Sequence, residues 1–177
     1  MGPNHGLAPG DLVQGAIDWD RRYAHMRMHT AQHLVSGLAY ELFGGPRTVG
    51  NQIHRSRSRI DFAPVNFTNE MLADLQAAAN DAIRAGYDVS TQTMTRDQVT
   101  AEQPPERTNM DLLPKSVTEL RVIRIGNDVD LCPCAGTHVR NTREIGELSI
   151  LRRTAKGQGT QRIEYTLAGL DQPETNA

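Results

Sequence analysis

The chain has 177 residues, two cysteines and a formal net charge of −2 at pH 7. This length suffices for one well-packed domain but not for two full catalytic domains. The charge excludes attachment to nucleic acid by bulk electrostatics, so any RNA contact must come from local patches. Because only Pro133 separates Cys132 from Cys134, we expect no disulfide and a reducing compartment. The sequence has no apolar run of about 18 residues and no signal-peptide pattern, which predicts a cytoplasmic protein without a membrane partner.

The N-terminal third predicts a strand and a long helix. Residues 1–11 are rich in glycine and proline, and the alternation over Asp11–Trp19 predicts a short strand. From Asp20 to Leu42 apolar residues recur at helical spacing, and a Gly-Gly-Pro sequence at 44–46 ends the pattern. This predicted helix carries His29 and His33.

The middle of the chain predicts two extended pieces and a second helix. Residues 48–63 alternate around a turn near Ser56, and Thr68 is a predicted N-cap for a helix that ends at Gly86. Its apolar stripe of Leu75, Ala79 and Ile83 predicts ordinary core. Residues 95–114 hold three prolines and much charge, which favours a connecting loop or flap.

The C-terminal part predicts two hairpins. Residues 119–125 and 129–132 flank a Gly-Asn-Asp turn, and residues 146–152 and 161–167 flank a Lys-Gly-Gln-Gly turn at 156–159. The predicted fold class is therefore α+β, with an antiparallel sheet packed with two long helices. We divide the chain into an N-terminal loose segment and first strand (1–19), a main domain (20–170) and a tail (171–177).

Two residue pairs with the same spacing predict a metal site. His29 and His33 lie four residues apart on a predicted helix, so both imidazoles face one side. Cys134 and His138 repeat the spacing about a hundred residues later. Three imidazoles and one thiolate form a donor set that suits Zn²⁺ better than Mg²⁺ or Ca²⁺. We predict one zinc ion with these four ligands.

The alternatives to this site differ in strength. A lone HxxxH pair on a helix is more often two surface or half-buried histidines, and it is the second pair that favours metal. A zinc protease needs glutamate directly after the first histidine, where this chain has Thr30. A protease of that class is therefore excluded.

Four motifs in fixed order resemble the editing domains of alanyl-tRNA synthetases, and the chain is similar to the free-standing AlaX-type trans-editing proteins from about Leu12 to Leu167. Threonyl-tRNA synthetases carry a related domain, but the Ala-Gly-Thr before His138 looks closer to the Gly-Gly-Thr of the alanyl family. The motifs are His29-Thr-Ala-Gln-His33, Gly50-Asn-Gln52 with Arg59-Ile-Asp-Phe62, Cys134-Ala-Gly-Thr-His138-Val-Arg-Asn-Thr-Arg-Glu-Ile-Gly146, and Arg162-Ile-Glu164.

The resemblance implies an aminoacyl-tRNA deacylase that hydrolyses the ester of a mischarged tRNA without ATP. The expected substrate is Ser-tRNA-Ala, or Gly-tRNA-Ala. A deacylase for tRNA-Thr carrying serine or a threonine analogue is the second hypothesis, and a zinc-stabilised tRNA-binding module without catalysis is the third. The zinc ion would activate a water or position substrate and water, and no protein base is assigned. A closed four-ligand shell favours positioning with polarisation.

The resemblance also assigns roles around the metal ligands. It places Thr30, Gln52, Gly136 and Thr137 in substrate binding and specificity. Read from the residues alone, Thr30 is a helix threonine bonding to a carbonyl one turn earlier, and Gln52 is an ordinary strand residue. Longer AlaX-type proteins have a small N-terminal barrel, of which residues 1–19 resemble only the last strand.

Two basic clusters are candidates for contact with the tRNA acceptor end. The alternative to an RNA-binding surface is a solvated charged hairpin. The sequence leaves open whether the protein is a monomer or a homodimer. The first cluster comprises Arg152, Arg153, Lys156 and Arg162, and the second comprises Arg55, Arg57 and Arg59.

The chain departs from the family pattern at two positions. Cys132 adds a second thiol, for which we predict a small buried side chain. Ala135 replaces a glycine of the family, and this change bears on substrate choice.

Overall fold

The structure is a computed structural model that describes residues 6–108, 110 and 113–170. It comprises helices α1 (Trp19–Leu42), α2 (Asn69–Ala85), α3 (Arg96–Glu102) and α4 (Pro105–Thr108), with a 3₁₀ helix at Thr142–Ile145. The strands are β1 (Arg47–Gln52), β2 (Ser58–Ala63), β3 (Val89–Thr95), β4 (Glu119–Ile125), β5 (Asp130–Pro133), β6 (Leu148–Gly157) and β7 (Thr160–Leu167).

The strands form two antiparallel sheets. One has four strands in the order β1-β2-β7-β6, and the other has three in the order β3-β4-β5. The predicted α+β class with two long helices is confirmed, because α1 and α2 have 24 and 17 residues.

Local sequence explains where the long helices begin and end. The side chain of Asp18 caps α1 by accepting a hydrogen bond from the Arg21 amide, and Gly44 and Gly45 with positive φ follow its last turn. Thr68 caps α2 as predicted, and Gly86 ends it in the left-handed conformation. The predicted positions of both helices are confirmed within a residue or two.

The main core lies between the two long helices and the four-stranded sheet. The predicted α2 stripe of Leu75, Ala79 and Ile83 is buried there, as ordinary core. The hydroxyl of Tyr165 on β7 donates a hydrogen bond to the Met28 carbonyl at 2.8 Å, which ties the sheet to α1. A second cluster packs α3 against the three-stranded sheet, and it contains Met94, Val99, Met110, Leu120, Val122 and Leu131.

Two predictions about local structure are wrong, and one strand was missed. Residues 11–18 are exposed and form no strand, because none of the described strands lies alongside them to share hydrogen bonds. The predicted loop over 95–114 contains α3 and α4, and Thr95 and Gln98 form a capping box that starts α3. Strand β3 was not predicted. The predicted tail at 171–177 lies outside the described residues, as do residues 1–5. No helix in the described ranges has the length and apolar content needed to cross a membrane.

Candidate metal centre

Helix α1 supplies two side chains to one site. His29 and His33 lie one turn apart on the face of α1 that meets the three-stranded sheet, and their ring centroids are 5.2 Å apart. His33 is buried, whereas His29 is partly exposed. The helical spacing therefore brings both imidazoles to the same point, as the sequence predicts.

The segment after β5 supplies the other two side chains. The Cys134 amide donates to the Arg121 carbonyl at 2.9 Å, which extends the β4–β5 pairing by one residue. The Arg121 guanidinium donates to the carbonyl oxygens of Cys134 and Gly136 at 2.6 and 2.9 Å. These bonds fix the short loop that carries Cys134 and His138 over α1.

All four predicted ligands meet in the structure. Their donor atoms lie within 4.8 Å of one another. Cys134 Sγ is 3.6 Å from His29 Nε2 and 3.5 Å from His138 Nε2. Tetrahedral zinc with ordinary Zn–S and Zn–N bonds would separate sulfur from nitrogen by about 3.5–3.6 Å. The donor set and its spacing therefore fit a zinc ion.

Hydrogen bonds behind the histidines orient them towards this point. His33 Nδ1 lies 2.8 Å from Asp130 Oδ2, and both side chains are buried. His138 Nδ1 lies 3.3 Å from Thr30 Oγ1. Because each Nδ1 is held from behind, Nε2 of each ring is the nitrogen that faces the cluster, as in carboxylate–histidine–metal arrangements.

The electrostatics of the cluster favour an anionic sulfur. Burial alone would raise the pKa of the Cys134 thiol, but hydrogen bonds with His138, His29 and His33 outweigh it and bring the pKa to about 3. Burial lowers the pKa of His138. For His33, burial acts in the same direction, but the hydrogen bond with Asp130 and the contact with Cys134 raise its pKa to about 9. These contacts therefore favour the thiolate form of Cys134, which is the form that binds metal.

Cys132 lies two residues before Cys134 and, like it, is half-buried in the wall of the cleft. It lies outside the four-residue cluster, and its Sγ has only weak contacts with the carbonyl oxygens of Thr108 and Pro133. Burial raises the pKa of its thiol, and nearby Asp130 and Cys134 raise it further. Both cysteines are free in the structure.

Gly136 lies directly over His29. A Cβ atom at this position would be 2.3 Å from His29 Cε1, so any side chain would displace the ring. Its neighbours Ala135 and Thr137 are exposed, and Ala135 does not have a positive φ. The alanine at 135 therefore causes no backbone strain, and Gly136 is the glycine that the site requires.

Thr30 lies behind the metal ligands. Its hydroxyl donates to the Met26 carbonyl at 2.8 Å and accepts from the Val139 amide at 3.2 Å, and the side chain is fully buried. This is the geometry of a helix threonine bonding to the preceding turn, combined with support for His138. The position does not favour direct contact between Thr30 and a substrate.

A cleft of about 290 Å³ opens beside the metal ligands. Asn51 lines it, but Gln52 does not. Successive strand residues point to opposite faces, and Gln52 Oε1 instead accepts from Arg59 Nε at 3.0 Å on the outer side of the sheet. The Gln52 side chain therefore points away from this cleft, and its assignment to substrate binding stays a prediction.

One wall of the cleft consists of polar groups that the sequence analysis missed. Ser36 Oγ accepts hydrogen bonds from Gln32 Nε2 at 2.9 Å and from Thr48 Oγ1 at 2.8 Å. Gln32 and Ser36 share the α1 face of His29 and His33, since they follow at intervals of three and four residues. Helical periodicity applied one turn beyond the histidines would have identified both.

Arg107 on α4 forms another part of the cleft wall. Its guanidinium donates to Glu41 Oε1 at 2.6 Å and to the Val129 carbonyl at 2.9 Å, and it lies over the Tyr40 ring. These contacts hold α4 against α1 and the β4–β5 hairpin. Arg107 therefore joins α4 to the two elements on which it packs at the cleft.

Of the four residues predicted to contact tRNA, the three arginines bond to other groups of the protein, and the lysine is exposed. Arg152 pairs with Glu164, Arg162 forms two hydrogen bonds with Asp61, and Arg153 donates to the Phe67 carbonyl. Lys156 is exposed near the end of β6. The structure brings Arg152 and Arg162 together on one sheet face, whereas the bond of Arg153 to the Phe67 carbonyl ties it to the segment preceding α2.

Fold and site together define an α+β domain in which three histidines and one cysteine that could hold a metal ion lie beside a polar cleft. The family model of the threonyl and alanyl tRNA synthetase second additional domain matches residues 120–164, which include Cys134 and His138. The chain belongs to the AlaX family of alanyl-tRNA editing proteins.

Three relatives show how far the similarity extends. The alanyl-tRNA editing protein AlaX-M of Methanosarcina barkeri is 35% identical over 93% of this chain and 67% of its own length. AlaX-M of Saccharolobus solfataricus is 34% identical with the same coverage, 93% and 67%. The alanine–tRNA ligase of Methanothrix thermoacetophila is 37% identical over 90% of this chain but only 17% of its own length. The chain thus spans about two thirds of the archaeal editing proteins.

Proposed function

We propose that the protein is a trans-editing aminoacyl-tRNA deacylase, which hydrolyses the ester linking a wrong amino acid to the 3′ end of tRNA. The observation that carries the proposal is the metal-ready cluster of His29, His33, Cys134 and His138 beside an open cleft. The names of the AlaX-M relatives, alanyl-tRNA editing proteins, support the same activity. Ester hydrolysis is favourable in water, so the reaction needs no ATP.

The four residues would hold one zinc ion. Bound there, zinc supplies a Lewis acid that polarises a carbonyl oxygen and lowers the pKa of water. The chain's own groups position the histidine rings. Asp130 and Thr30 fix the rings of His33 and His138, and Gly136 leaves room for the ring of His29. Asp130 is the only carboxylate among the described residues of the cleft, and it is already bonded to His33. This supports a mechanism without a protein carboxylate base.

We infer that the preferred substrate is Ser-tRNA-Ala. The polar wall of Gln32, Ser36 and Thr48 begins within one helical turn, about 5.4 Å, of the histidines. A wall of this kind suits a substrate hydroxyl, because an analogue without the hydroxyl leaves polar groups unpaired. Alanine would be rejected on this basis, and glycine would be accepted less well than serine.

Release of amino acid from four charged tRNAs tests the proposal. Zinc-loaded protein is incubated with Ser-tRNA-Ala, Gly-tRNA-Ala, Ala-tRNA-Ala and Ser-tRNA-Thr, beside a Cys134→Ala variant. We expect rapid loss of Ser-tRNA-Ala, slower loss of Gly-tRNA-Ala, and no turnover in the variant. Turnover only on Ser-tRNA-Thr would contradict the proposed tRNA, and binding of every tRNA without turnover would contradict deacylation itself.

A further inference from the structure

The outer face of the four-stranded sheet is strongly basic. In β2 and β7 the residues alternate, so that Ile60 and Ile163 enter the core while Arg59 and Arg162 point away from it. Arg152 on β6 and Arg57 just before β2 extend the same face. We call this set of Arg57, Arg59, Arg152 and Arg162 the arginine face.

Strand register aligns these residues in two rows across the sheet. In the first row Gln52, Arg59, Glu164 and Arg152 are successive partners in β1, β2, β7 and β6. In the second row Asp61 of β2 is opposite Arg162 of β7. Neighbouring strands lie about 4.8 Å apart, so the rows cover roughly 14 Å from β1 to β6.

Within the described part of the chain, two carboxylates pair with the four arginines. Glu164 contacts Arg57 at 3.6 Å and Arg152 at 2.6 Å, and Asp61 contacts Arg59 at 3.2 Å and Arg162 at 2.7 Å. The local charge is therefore 4 − 2 = +2, whereas the whole chain carries −2. Each guanidinium has five N–H donors, so these pairings hold the arginines in place and leave donors for another anion.

The two outer arginines are the most accessible part of this face. The side chains of Arg57 and Arg152 are 59% and 63% exposed, whereas Glu164 between them is only 12% exposed. A ligand approaching the sheet therefore meets cationic groups before it meets the carboxylate. This arrangement suits phosphate groups spaced along a chain, which bind arginine by bidentate hydrogen bonds.

The arginine face and the metal cleft lie on the two sides of one edge strand. In β1, Asn51 lines the cleft and Gln52 bonds to Arg59 on the arginine face. Because β1 ends the β1-β2-β7-β6 sheet, nothing in that sheet lies beyond it. A polynucleotide lying across the arginine face would reach the metal ligands by passing its end around β1.

We propose that the arginine face binds the phosphate backbone of the tRNA acceptor stem while the 3′ end turns around β1 into the cleft. This inference rests on the proposed deacylase function and adds the docking surface to it. The charge complementarity concerns phosphates rather than bases, so the contact is expected to be independent of acceptor-stem sequence. Gln52 then belongs to the RNA surface and not to the amino-acid pocket.

Paired substrates of different length test the docking surface. The double variant Arg57→Gln/Arg152→Gln is assayed on Ser-tRNA-Ala and on seryl-adenosine, whose single nucleoside is too short to reach the arginine face. For the tRNA, we expect KM to rise about tenfold or more while kcat stays the same, as for the loss of charge-assisted hydrogen bonds. Hydrolysis of seryl-adenosine should not change. The dependence of tRNA affinity on salt should become shallower by about one unit of log–log slope per lost phosphate contact.

The matched control removes the same charge elsewhere. Arg22 and Arg84 are exposed on α1 and α2, so Arg22→Gln/Arg84→Gln should leave KM and salt slope as in the wild type. The inference is overturned if the two double variants behave alike on tRNA, or if the arginine-face variant loses seryl-adenosine hydrolysis as well. Should the wild type hydrolyse neither substrate, the proposed function fails, and binding of uncharged tRNA to the two variants decides the docking surface separately.

Discussion

Asp130 and His33 form a buried hydrogen bond of 2.8 Å between residues 97 positions apart in the chain. The bond joins β5 to α1 and fixes which nitrogen of His33 faces the other ligands. Asp130 also belongs to the same hairpin that delivers Cys134. One side chain therefore couples the folding of the hairpin to the geometry of the candidate metal centre.

The first prediction concerns this carboxylate. Asp130→Asn keeps the size of the side chain but removes the charge that orients and polarises His33, and we expect zinc affinity to fall about 10–100-fold. The measurement is a competition titration between the protein and a chelating dye. Asp128→Asn, an exposed position in the turn of the same hairpin, is the matched control and should bind zinc like the wild type. Equal affinities for the two variants would contradict the assigned role.

The second prediction concerns the glycine over His29. Gly136→Ala would place a Cβ atom 2.3 Å from His29 Cε1, so the ring must move out of the cluster. We expect weaker metal binding and a changed absorption spectrum of the Co²⁺-substituted protein, since the ligand geometry changes. In Gly15→Ala the new Cβ meets nothing within 4 Å, so that variant should retain the wild-type spectrum. An unchanged spectrum in Gly136→Ala would show that His29 is not held as described.

The third prediction separates the two cysteines. Cys134→Ala removes the only sulfur donor of the cluster, and we expect it to lose stoichiometric zinc after dialysis. Cys132→Ala removes a half-buried thiol outside the cluster and should keep one zinc ion per chain, with a modest loss of stability. Metal analysis of the two purified variants is the measurement. Loss of zinc from Cys132→Ala, alone or together with Cys134→Ala, would mean that Cys132 contributes to zinc binding. That result would contradict the assignment of Cys134 as the sulfur ligand.

Sequence reasoning succeeded where a pattern is local. The spacing of His29 and His33 on one helix and the apolar periodicity of α1 and α2, with Thr68 and Gly86 at the ends of α2, are patterns of this kind. Such signals depend on the backbone geometry of one element and survive without knowledge of the tertiary structure. The hairpin that carries Cys134 was predictable for the same reason, since β4 and β5 alternate on either side of a glycine turn. Cys134 and His138 lie in the loop after β5, so only their repeated spacing and the family resemblance pointed to them.

Sequence reasoning failed where the outcome depends on packing between distant elements. For Thr30, the bond to the Met26 carbonyl is the one expected from the residues alone, but its contact with the Val139 amide and the orientation of Gln52 towards Arg59 are set by tertiary contacts. Asp130 gave no local signal, because its partner His33 comes from another element. The strand predicted before α1 shows the converse, a local alternation that found no neighbouring strand.

The fourth prediction concerns the packing of α1 on the β4–β5 hairpin. A Cβ at Gly37 would lie 2.1 Å from the Val129 carbonyl oxygen, so α1 and the hairpin approach at this residue as closely as backbones can. We expect Gly37→Ala to lower the free energy of unfolding by about 1–3 kcal/mol through overpacking. Urea unfolding of the zinc-free protein measures it, with Gly15→Ala as the unstrained control. Equal stability of the two variants would contradict the close approach.

The fifth prediction concerns the polar wall of the cleft. Ser36 accepts from both Gln32 and Thr48, which leaves its own proton free for an oxygen of the substrate. We expect Ser36→Ala to reduce kcat/KM for Ser-tRNA-Ala by about 10–100-fold, the cost of one unsatisfied hydrogen bond in a desolvated site.

The comparison substrate for the same variant is Gly-tRNA-Ala, which has no side-chain hydroxyl. Its hydrolysis should change little, so that the preference for serine over glycine falls along with the rate on serine. Ser149→Ala, at an exposed position of β6, removes an identical hydroxyl away from the cleft and should alter neither substrate. An equal loss on both charged tRNAs would mean that Ser36 contacts the ribose or the ester, which the two substrates share, and would contradict its role in selecting serine.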